Sequence, residues 1–576
     1  MSTIRVIGGK FLELSLSPEE VNTLQEAAVR LYGVPRRHGV WRCSFRYIDK
    51  VLLHLRGWTE DNIPVGPASD ILSTELERRR KSEYIKQFGA TVSTNDHLWE
   101  HQRIGVELAR YNKRYNFFYD TRTGKTRMLL QIMQDKLKAG EVKRCIVFVP
   151  STIIPSWLND AKEFPELKVT AFYGDEKQKA AALRTPAHIY LWSTGMIGRY
   201  MDTIKKVKFS LAVFDESSKA KSHKAQLSQN LFELSQTIDY WYNLSATPAP
   251  NGEYEYWYQM LYVDPASFDQ RWTYFKQRYF DNVSFSDKFE KLQIKSNMKQ
   301  EFMDIVEDRS IYVDQSVMPM AKSIWKPYTF KMDTYQEQIY DEMRKKSAAE
   351  LTEASIVVDS AAIARSKLQQ ITSGFILDTD ARKANEIGRR LGDDADQREI
   401  YQLPKNPRTA ALLDLLHIIG WNQPTIIWAH YEQEFADIQK AIGPEACKVI
   451  NGKTSGVDKL RWIKDFQEGS LKYLVCHPLS VGMGINLTVS HNAIYYRIVD
   501  SWEALKQSSE RIKAHISIQQ FDCYFWVLLA TKQNGSDTVD RLVYDNVQNK
   551  RDASTGFLEY LRSGKYDLQR TTEQNV

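Results

Sequence analysis

Three short groups of residues have the types and the order that phosphate chemistry needs. Gly124-Lys125-Thr126 stands between an apolar run, Tyr115–Tyr119, and a helical pattern from Thr126 to Lys138. A loop in that place can hold phosphate oxygens on the free N–H groups of the helix start. Lys125 would then reach the β- and γ-phosphates and the Thr126 hydroxyl a Mg²⁺ ion. Further along, the apolar run Leu211–Phe214 ends in Asp215-Glu216. Adjacent carboxylates at a strand end can divide two tasks: Asp215 holds Mg²⁺ while Glu216 orients and deprotonates the attacking water. A third run ends in Leu244-Ser245-Ala246-Thr247-Pro248. Each group alone also fits a plain role as a helix start, a solvated acidic turn or a cap. Their succession on one block is what points to nucleotide hydrolysis.

The elements that must carry these groups are legible from texture. The 576 residues exceed one ordinary domain. Hydrophobic residues make up 43% and charged residues 26%, which excludes a disordered or fibrous chain. Basic residues exceed acidic ones by 78 − 72 = 6, a surplus that permits an anionic partner without demanding one. Cys43, Cys145, Cys447, Cys476 and Cys523 are scattered, which argues against a zinc site or disulfide framework and for a reducing compartment. No run has the length of a membrane span or a signal peptide, so a cytoplasmic protein is expected.

Residues 1–95 read as a small accessory domain, basic between Arg30 and Arg56. There Arg36, Arg37, Arg42, Arg46, Lys50 and Arg56 interleave with Trp41, Phe45, Tyr47 and Trp58. Such a mixture suits phosphate pairing and base stacking, and equally a small core. Residues 96–265 alternate short apolar strands with helical patterns, the mark of a parallel sheet. Candidate strands are Tyr115–Tyr119, Cys145–Val149, His188–Trp192, Leu211–Phe214 and Tyr242–Leu244. Residues 266–400 read as mainly helical. Residues 401–550 return to alternation, with a helix at Thr409–Ile419 and strands at Thr425–Trp428, Lys472–Cys476, Ala493–Tyr496 and Phe521–Leu529. A polar tail, 551–576, follows. The expected class is α/β: two parallel-sheet lobes, a helical insertion and a small N-terminal domain.

The phosphate loop, the Asp-Glu pair and Ser-Ala-Thr-Pro, in this order, resemble the helicase-like ATPases of superfamily 2, and more closely the Swi/Snf type. Leu98–Val106 is similar to that family's adenine-recognising entry motif, with Gln102 at the adenine contact. Val149-Pro150-Ser151 resembles a DNA-backbone motif, and Asp215 to Lys221 the extended acidic box with Ser218 where His is usual. Ser366–Ile371, Thr425–His430, Asn451–Ser455, Val481–Thr488, Gln507–Arg511 and Thr538–Val543 followed by Lys550 match later motifs. Gly39–Phe45 faintly resembles the substrate-binding domain of annealing helicases.

The resemblance covers roughly residues 96–550 and implies two RecA-like lobes with ATP and Mg²⁺ in the cleft. Its catalytic residues are Lys125, Asp215, Glu216 and Arg511. Nucleotide contacts are Gln102, Thr123, Gly124, Lys125, Thr126, Gly484 and Arg511, with Thr126 and Asp215 on the metal. Ser151, Thr194, Thr454, Ser455 and Thr488 are carried over as DNA-backbone contacts. Ser245, Ala246 and Thr247 would relay nucleotide state to the DNA. The partner implied is duplex or branched DNA, bound without sequence preference. Two positions depart from the pattern. Arg122 replaces a loop Gly, and Ala514 stands where a second arginine is usual, with Lys513 and His515 as its basic neighbours. The leading function is a DNA-dependent ATPase translocating on duplex DNA and remodelling branched or protein-bound DNA in replication, recombination or repair. A strand-separating helicase and a catalytically silent nucleic-acid-binding module are the alternatives.

Overall fold

The computed structural model describes residues 3–7, 11–27, 29, 31–33, 39–44, 51, 67–90, 97–220, 222–283, 292–353, 357–377, 400–478, 485–498, 502–545 and 547. Several sequence expectations lie outside these residues: Gly484, Lys221, Lys550, the tail, and most of the N-terminal basic and aromatic set (Arg36, Arg37, Phe45, Arg46, Tyr47, Lys50, Arg56 and Trp58). The chain divides into two compact units that part between Val317 and Met318.

In the first unit seven parallel strands form one sheet: β1 (Arg114–Tyr119), β2 (Cys145–Val149), β3 (Val169–Phe172), β4 (Ile189–Ser193), β5 (Leu211–Asp215), β6 (Tyr240–Leu244) and β7 (Ser310–Val313). Their spatial order is β7-β1-β6-β5-β2-β4-β3. Every residue of β2, β4, β5 and β6 is buried, as strands covered on both faces require. Two neighbouring helices serve the site: α1 (Glu100–Tyr111) and α2 (Lys125–Lys138). A third, α3 (Tyr256–Val263), is buried at every position.

The second unit repeats the plan with six parallel strands: β8 (Ser323–Lys331), β9 (Thr425–Trp428), β10 (Cys447–Ile450), β11 (Tyr473–Cys476), β12 (Asn492–Tyr495) and β13 (Cys523–Thr531). Their order is β8-β13-β12-β9-β11-β10. Helices α4 (Val357–Thr372), α5 (Pro407–Ile419) and α6 (Trp502–Ser509) belong to this unit.

Residues 266–400 carry the helices Trp272–Tyr279, Lys299–Asp308, Thr334–Glu353 and α4, and also strands that the helical expectation did not include. They supply β7 to the first sheet and β8 to the second, besides a hairpin of Phe280–Asn282 with Leu292–Ile294. β8 carries Pro327 and mixes half-buried with exposed residues. A Pro is tolerated there because β8 is an edge strand, with one side unpaired. The short strands β3 and β10, at the far edges of their sheets, also escaped the sequence pattern.

Near the N-terminus, strands Thr3–Ile7, Phe11–Ser15, Tyr32–Gly33 and Val40–Ser44 form an antiparallel sheet with its own core of Leu12, Leu14, Leu24 and Cys43. Trp41 packs against this core, partly buried, so its indole serves the small domain's interior. The helix Pro67–Phe88 is fastened to the large sheet through Arg78, which donates to Asn112 Oδ1 at 2.8 Å and pairs with Asp308 at 3.0 Å.

Candidate nucleotide site

The first unit's candidate residues share one edge of its sheet. β1 leads into the loop 120–124, β5 ends at Asp215, β6 runs into Ser245–Thr247, β2 into Ser151 and β4 into Thr194. All five strands are parallel, so these turns emerge at the same, C-terminal, edge, where open α/β sheets bind their ligands.

The phosphate loop is held from beneath by α1. Gln102, 1% exposed, receives the Trp99 N–H at 2.9 Å and donates to the carbonyls of Thr123 (3.2 Å) and Gly124 (3.1 Å). His101 Nε2 meets the Thr123 carbonyl at 2.7 Å, and the Thr123 hydroxyl donates to Asp120 O at 2.7 Å. Gly124 has φ 73°, and a Cβ there would lie 2.1 Å from the Gln102 amide nitrogen. Glycine is therefore required on two counts. Arg122 takes φ 64° with a full side chain, so the loop keeps a left-handed turn at a cost of about 1–2 kcal/mol. The loop geometry that the missing Gly would have eased is formed nonetheless.

Lys125 opens α2, and its ammonium donates to the carbonyls of Tyr119 (3.0 Å) and Asp120 (3.2 Å). Asp215 is buried, and burial pushes its carboxyl above the ordinary range. The Lys125 charge and a 2.9 Å hydrogen bond from Trp157 Nε1 to Oδ2 oppose that rise. Its Oδ1 accepts the Glu216 N–H at 3.0 Å. A carboxylate so placed gains from further positive charge, and each oxygen keeps a lone pair for it. Asp215, on which the Lys125 charge acts, and the Thr126 hydroxyl in the first turn of α2 are donor types that fit a Mg²⁺–nucleotide. Among the described residues no cluster of three or more His, Cys, Asp or Glu could hold a metal by itself. Glu216 is half-buried and held at φ 59°, a strained conformation of the kind that marks functional turns.

Motif spacing did not reveal Trp157 or His101. Trp157 lies on a helix with no phosphate-binding pattern, and nothing in its spacing marks it as the partner of Asp215.

The second unit brings together part of its set. Thr454 and Ser455 follow β10: the Thr454 hydroxyl accepts the Asn451 N–H at 3.0 Å, and Ser455 caps the next helix through Asp458 N at 3.1 Å. Thr488 lies elsewhere. Its carbonyl accepts from Gln519, whose amide also binds the Ser490 carbonyl just before β12. It lies in the loop that leads into β12, whereas Thr454 and Ser455 follow the end of β10.

Arg511 follows the end of α6, is half-buried, and its carbonyl accepts the Leu487 N–H at 3.0 Å. Position 514 is not a vacant arginine site. Ala514 is 3% exposed and its carbonyl accepts the Ala321 N–H at 3.1 Å. Lys513 pairs with Glu510 at 2.6 Å and His515 Nδ1 with the Ser517 hydroxyl at 2.7 Å. Ala514→Arg is thus expected to destabilise the second unit by about 1–3 kcal/mol, as overpacking does. It should not raise turnover. Thermal unfolding and steady-state kinetics of the variant check both.

At the C-terminal edge of the second sheet, β9, β11 and β12 deliver His430, His477 and Arg497. His477 Nε2 and His430 Nδ1 are 3.1 Å apart, and Arg497 pairs with the buried Glu434 at 3.4 Å. Burial, Arg497 and His477 push the His430 imidazole down to about 4 against the favourable charge of Glu434. A histidine with a depressed folded value contributes stability above its ordinary value of about 6.5, which is lost as pH falls through about 4. The unfolding midpoint should therefore drop across that window in the wild type. In His430→Asn the drop should be shallower.

The family model of the SNF2-related domain matches residues 118–379. This chain carries an SNF2-related domain. Protein p41 of Acyrthosiphon pisum secondary endosymbiont phage 1 is 23% identical to it over 479 residues, covering 78% of this chain and 95% of that one. Two eukaryotic relatives match shorter stretches. The human SWI/SNF-related matrix-associated actin-dependent regulator of chromatin subfamily A member 1 is 28% identical over 130 residues, 22% of this chain and 12% of that one. The chromatin-remodeling ATPase INO80 of Candida glabrata is 24% identical over 137 residues, 22% of this chain and 9% of that one. Among solved structures, the Sulfolobus solfataricus SWI2/SNF2 ATPase core in complex with dsDNA is similar at 17% identity and a TM-score of 0.36, covering 83% of this chain and 95% of that one. The SNF2-related domain begins inside β1, spans the phosphate loop, the acidic pair and the Ser-Ala-Thr turn, and ends after α4. Among the described residues no helix is long and apolar enough to cross a membrane.

Proposed function

We propose that this chain hydrolyses ATP under the control of DNA, translocates on duplex DNA and remodels branched or protein-bound DNA. The observation that carries the reading is the convergence of Lys125, Asp215 and Glu216 at one sheet edge, with the charge of Lys125 acting on the Asp215 carboxyl. Lys125 would neutralise phosphate charge, and the free N–H groups at the start of α2 would hold phosphate oxygens. Thr126 and Asp215 would hold Mg²⁺, which when bound supplies charge neutralisation on the phosphates. Glu216 would take the proton of the attacking water, and Gln102 would support the loop through the Thr123 and Gly124 carbonyls. Arg511 is proposed as a further catalytic residue.

DNA as the partner is supported by the likeness to a regulator of chromatin and a chromatin-remodeling ATPase, and by the hydroxyl residues Ser151 and Thr194 at the same sheet edge. Hydroxyls and backbone N–H groups at strand ends grip phosphates without reading bases, so binding should be salt-sensitive and sequence-independent.

The test is ATP turnover without nucleic acid and with single-stranded DNA, duplex, forked DNA and RNA, beside Lys125→Ala. Stimulation by duplex or forked DNA that disappears in the variant is the expected result. Turnover stimulated only by RNA, or none with any ligand, would reject the proposal.

A further inference from the structure

Gln259 is buried completely on α3, at a position where apolar packing alone would favour a hydrocarbon side chain. Its amide oxygen and both amide hydrogens are engaged. Oε1 accepts the Ser217 hydroxyl at 2.6 Å, and Nε2 donates to the carbonyls of Pro248 at 2.6 Å and Glu255 at 3.1 Å. Two carbonyls on one side fix the amide's orientation, since the flipped form would set its oxygen against both of them. Ser217 is the residue after Glu216, and Pro248 the residue after Ser245-Ala246-Thr247. One side chain thus ties the acidic turn at the end of β5 to the turn at the end of β6.

The tie is braced from behind. Asn243 Nδ2, on β6, donates to the Gln259 carbonyl at 2.9 Å and to Asn116 Oδ1, on β1, at 2.7 Å. Trp241 Nε1 occupies Asn243 Oδ1 at 2.8 Å. One turn of α3 further on, the Tyr262 hydroxyl donates to the Ala220 carbonyl at 3.1 Å, the last residue of the short helix Ser217–Ala220. The segment just after the strained Glu216 is therefore clamped at both ends by α3. Displacement of the Ser245–Thr247 turn must pull on Pro248, and through Gln259 on Ser217, because each link that breaks leaves a buried N–H or O–H donor without its partner.

From this geometry we propose that Gln259 is a positioning residue that transmits the state of the Ser245–Thr247 turn to Glu216. The inference rests on the reading of this chain as a DNA-stimulated ATPase, with those residues as the relay.

Gln259→Met keeps the volume and removes both links. Gln259→Glu keeps an acceptor for Ser217 and loses the donor to Pro248, and Ser217→Ala removes the other link alone. In each variant the ratio of DNA-stimulated to DNA-free turnover is expected to fall by about tenfold, with KM for ATP within about twofold of the wild type. Ser217→Ala combined with Gln259→Met should fall no further than either alone, because one broken link already interrupts the tie.

An unchanged ratio in folded variants overturns the inference. So does a loss in which KM, both rates and the thermal midpoint move together, the pattern of mere structural damage. If Gln259→Met does not fold, Ser217→Ala decides, since the smaller change leaves α3 intact. A wild type that DNA fails to stimulate overturns the DNA-dependent reading and the inference with it. A stimulated wild type with unaltered variants overturns the inference alone.

Discussion

Replacing Glu216 by Gln is expected to lower ATP turnover by about 10²- to 10⁴-fold, the range a positioned general base supplies. Nucleotide binding should survive. The substitution keeps shape and hydrogen-bonding reach, so the left-handed backbone at φ 59° has no new reason to relax. The Glu216 N–H would still reach Asp215 Oδ1, the 3.0 Å bond that joins the two carboxylate residues. Only the capacity to take a proton is lost. Lys125→Ala should behave differently, weakening nucleotide binding as well as turnover, because it removes the charge proposed to neutralise the phosphates. Steady-state turnover beside equilibrium binding of a fluorescent ATP analogue separates the two. Turnover of Glu216→Gln within about threefold of the wild type would remove Glu216 as the base.

The second large effect concerns stability. Arg408 is fully buried and all five of its N–H groups are engaged. Nε donates to the Thr372 carbonyl at 3.1 Å, and Nη1 to the carbonyls of Tyr496 and Leu528. Nη2 reaches the Thr372 hydroxyl at 2.9 Å and the Asp540 carboxylate. Asp540 also accepts the Ala530 N–H at 3.1 Å. One ion pair therefore joins the ends of α4, β12 and β13 to the closing helical turns at 539–545. Asp540→Ala leaves the guanidinium buried without its counter-charge and is expected to cost about 3–5 kcal/mol. Arg408→Met should cost a similar amount by leaving the carboxylate behind. Joining Arg408→Met to Asp540→Leu should recover much of that loss, because no unpaired charge then remains. Denaturant unfolding of the full chain reads these shifts in the transition of the second unit. A loss below about 1 kcal/mol in both single variants would show that the pair is not what holds the closing turns.

The candidate site was legible in sequence where chemistry dictates both residue type and local element. A phosphate loop must follow a strand and open a helix, and paired carboxylates must end a strand. Both patterns are contiguous, so Lys125, Thr126, Asp215 and Glu216 could be named from the chain alone. Gln102 was legible only through the family likeness, and its observed role, holding the Thr123 and Gly124 carbonyls, depends on α1 lying beneath the loop. Trp157 and Gln259 were not legible at all. Each acts across more than forty residues of chain, from helices whose pattern signals burial and nothing more.

Apolar runs flanked by turns determined the central strands, because a strand buried on both faces must be hydrophobic throughout. The same logic fails at sheet edges. β7 is short, and β8 carries a Pro and charged residues, since one side of each needs no partner; only the assembled sheets assign them. Position 514 shows the same division. The sequence determined that an alanine stands where a second arginine was expected. Only the tertiary structure decided that this alanine is buried against the Ala321 segment, so that an arginine there would meet packed neighbours rather than a nucleotide. Covalent order specifies which groups are available for chemistry. Which of them meet is decided by the parallel sheet, which brings the ends of distant strands to one edge.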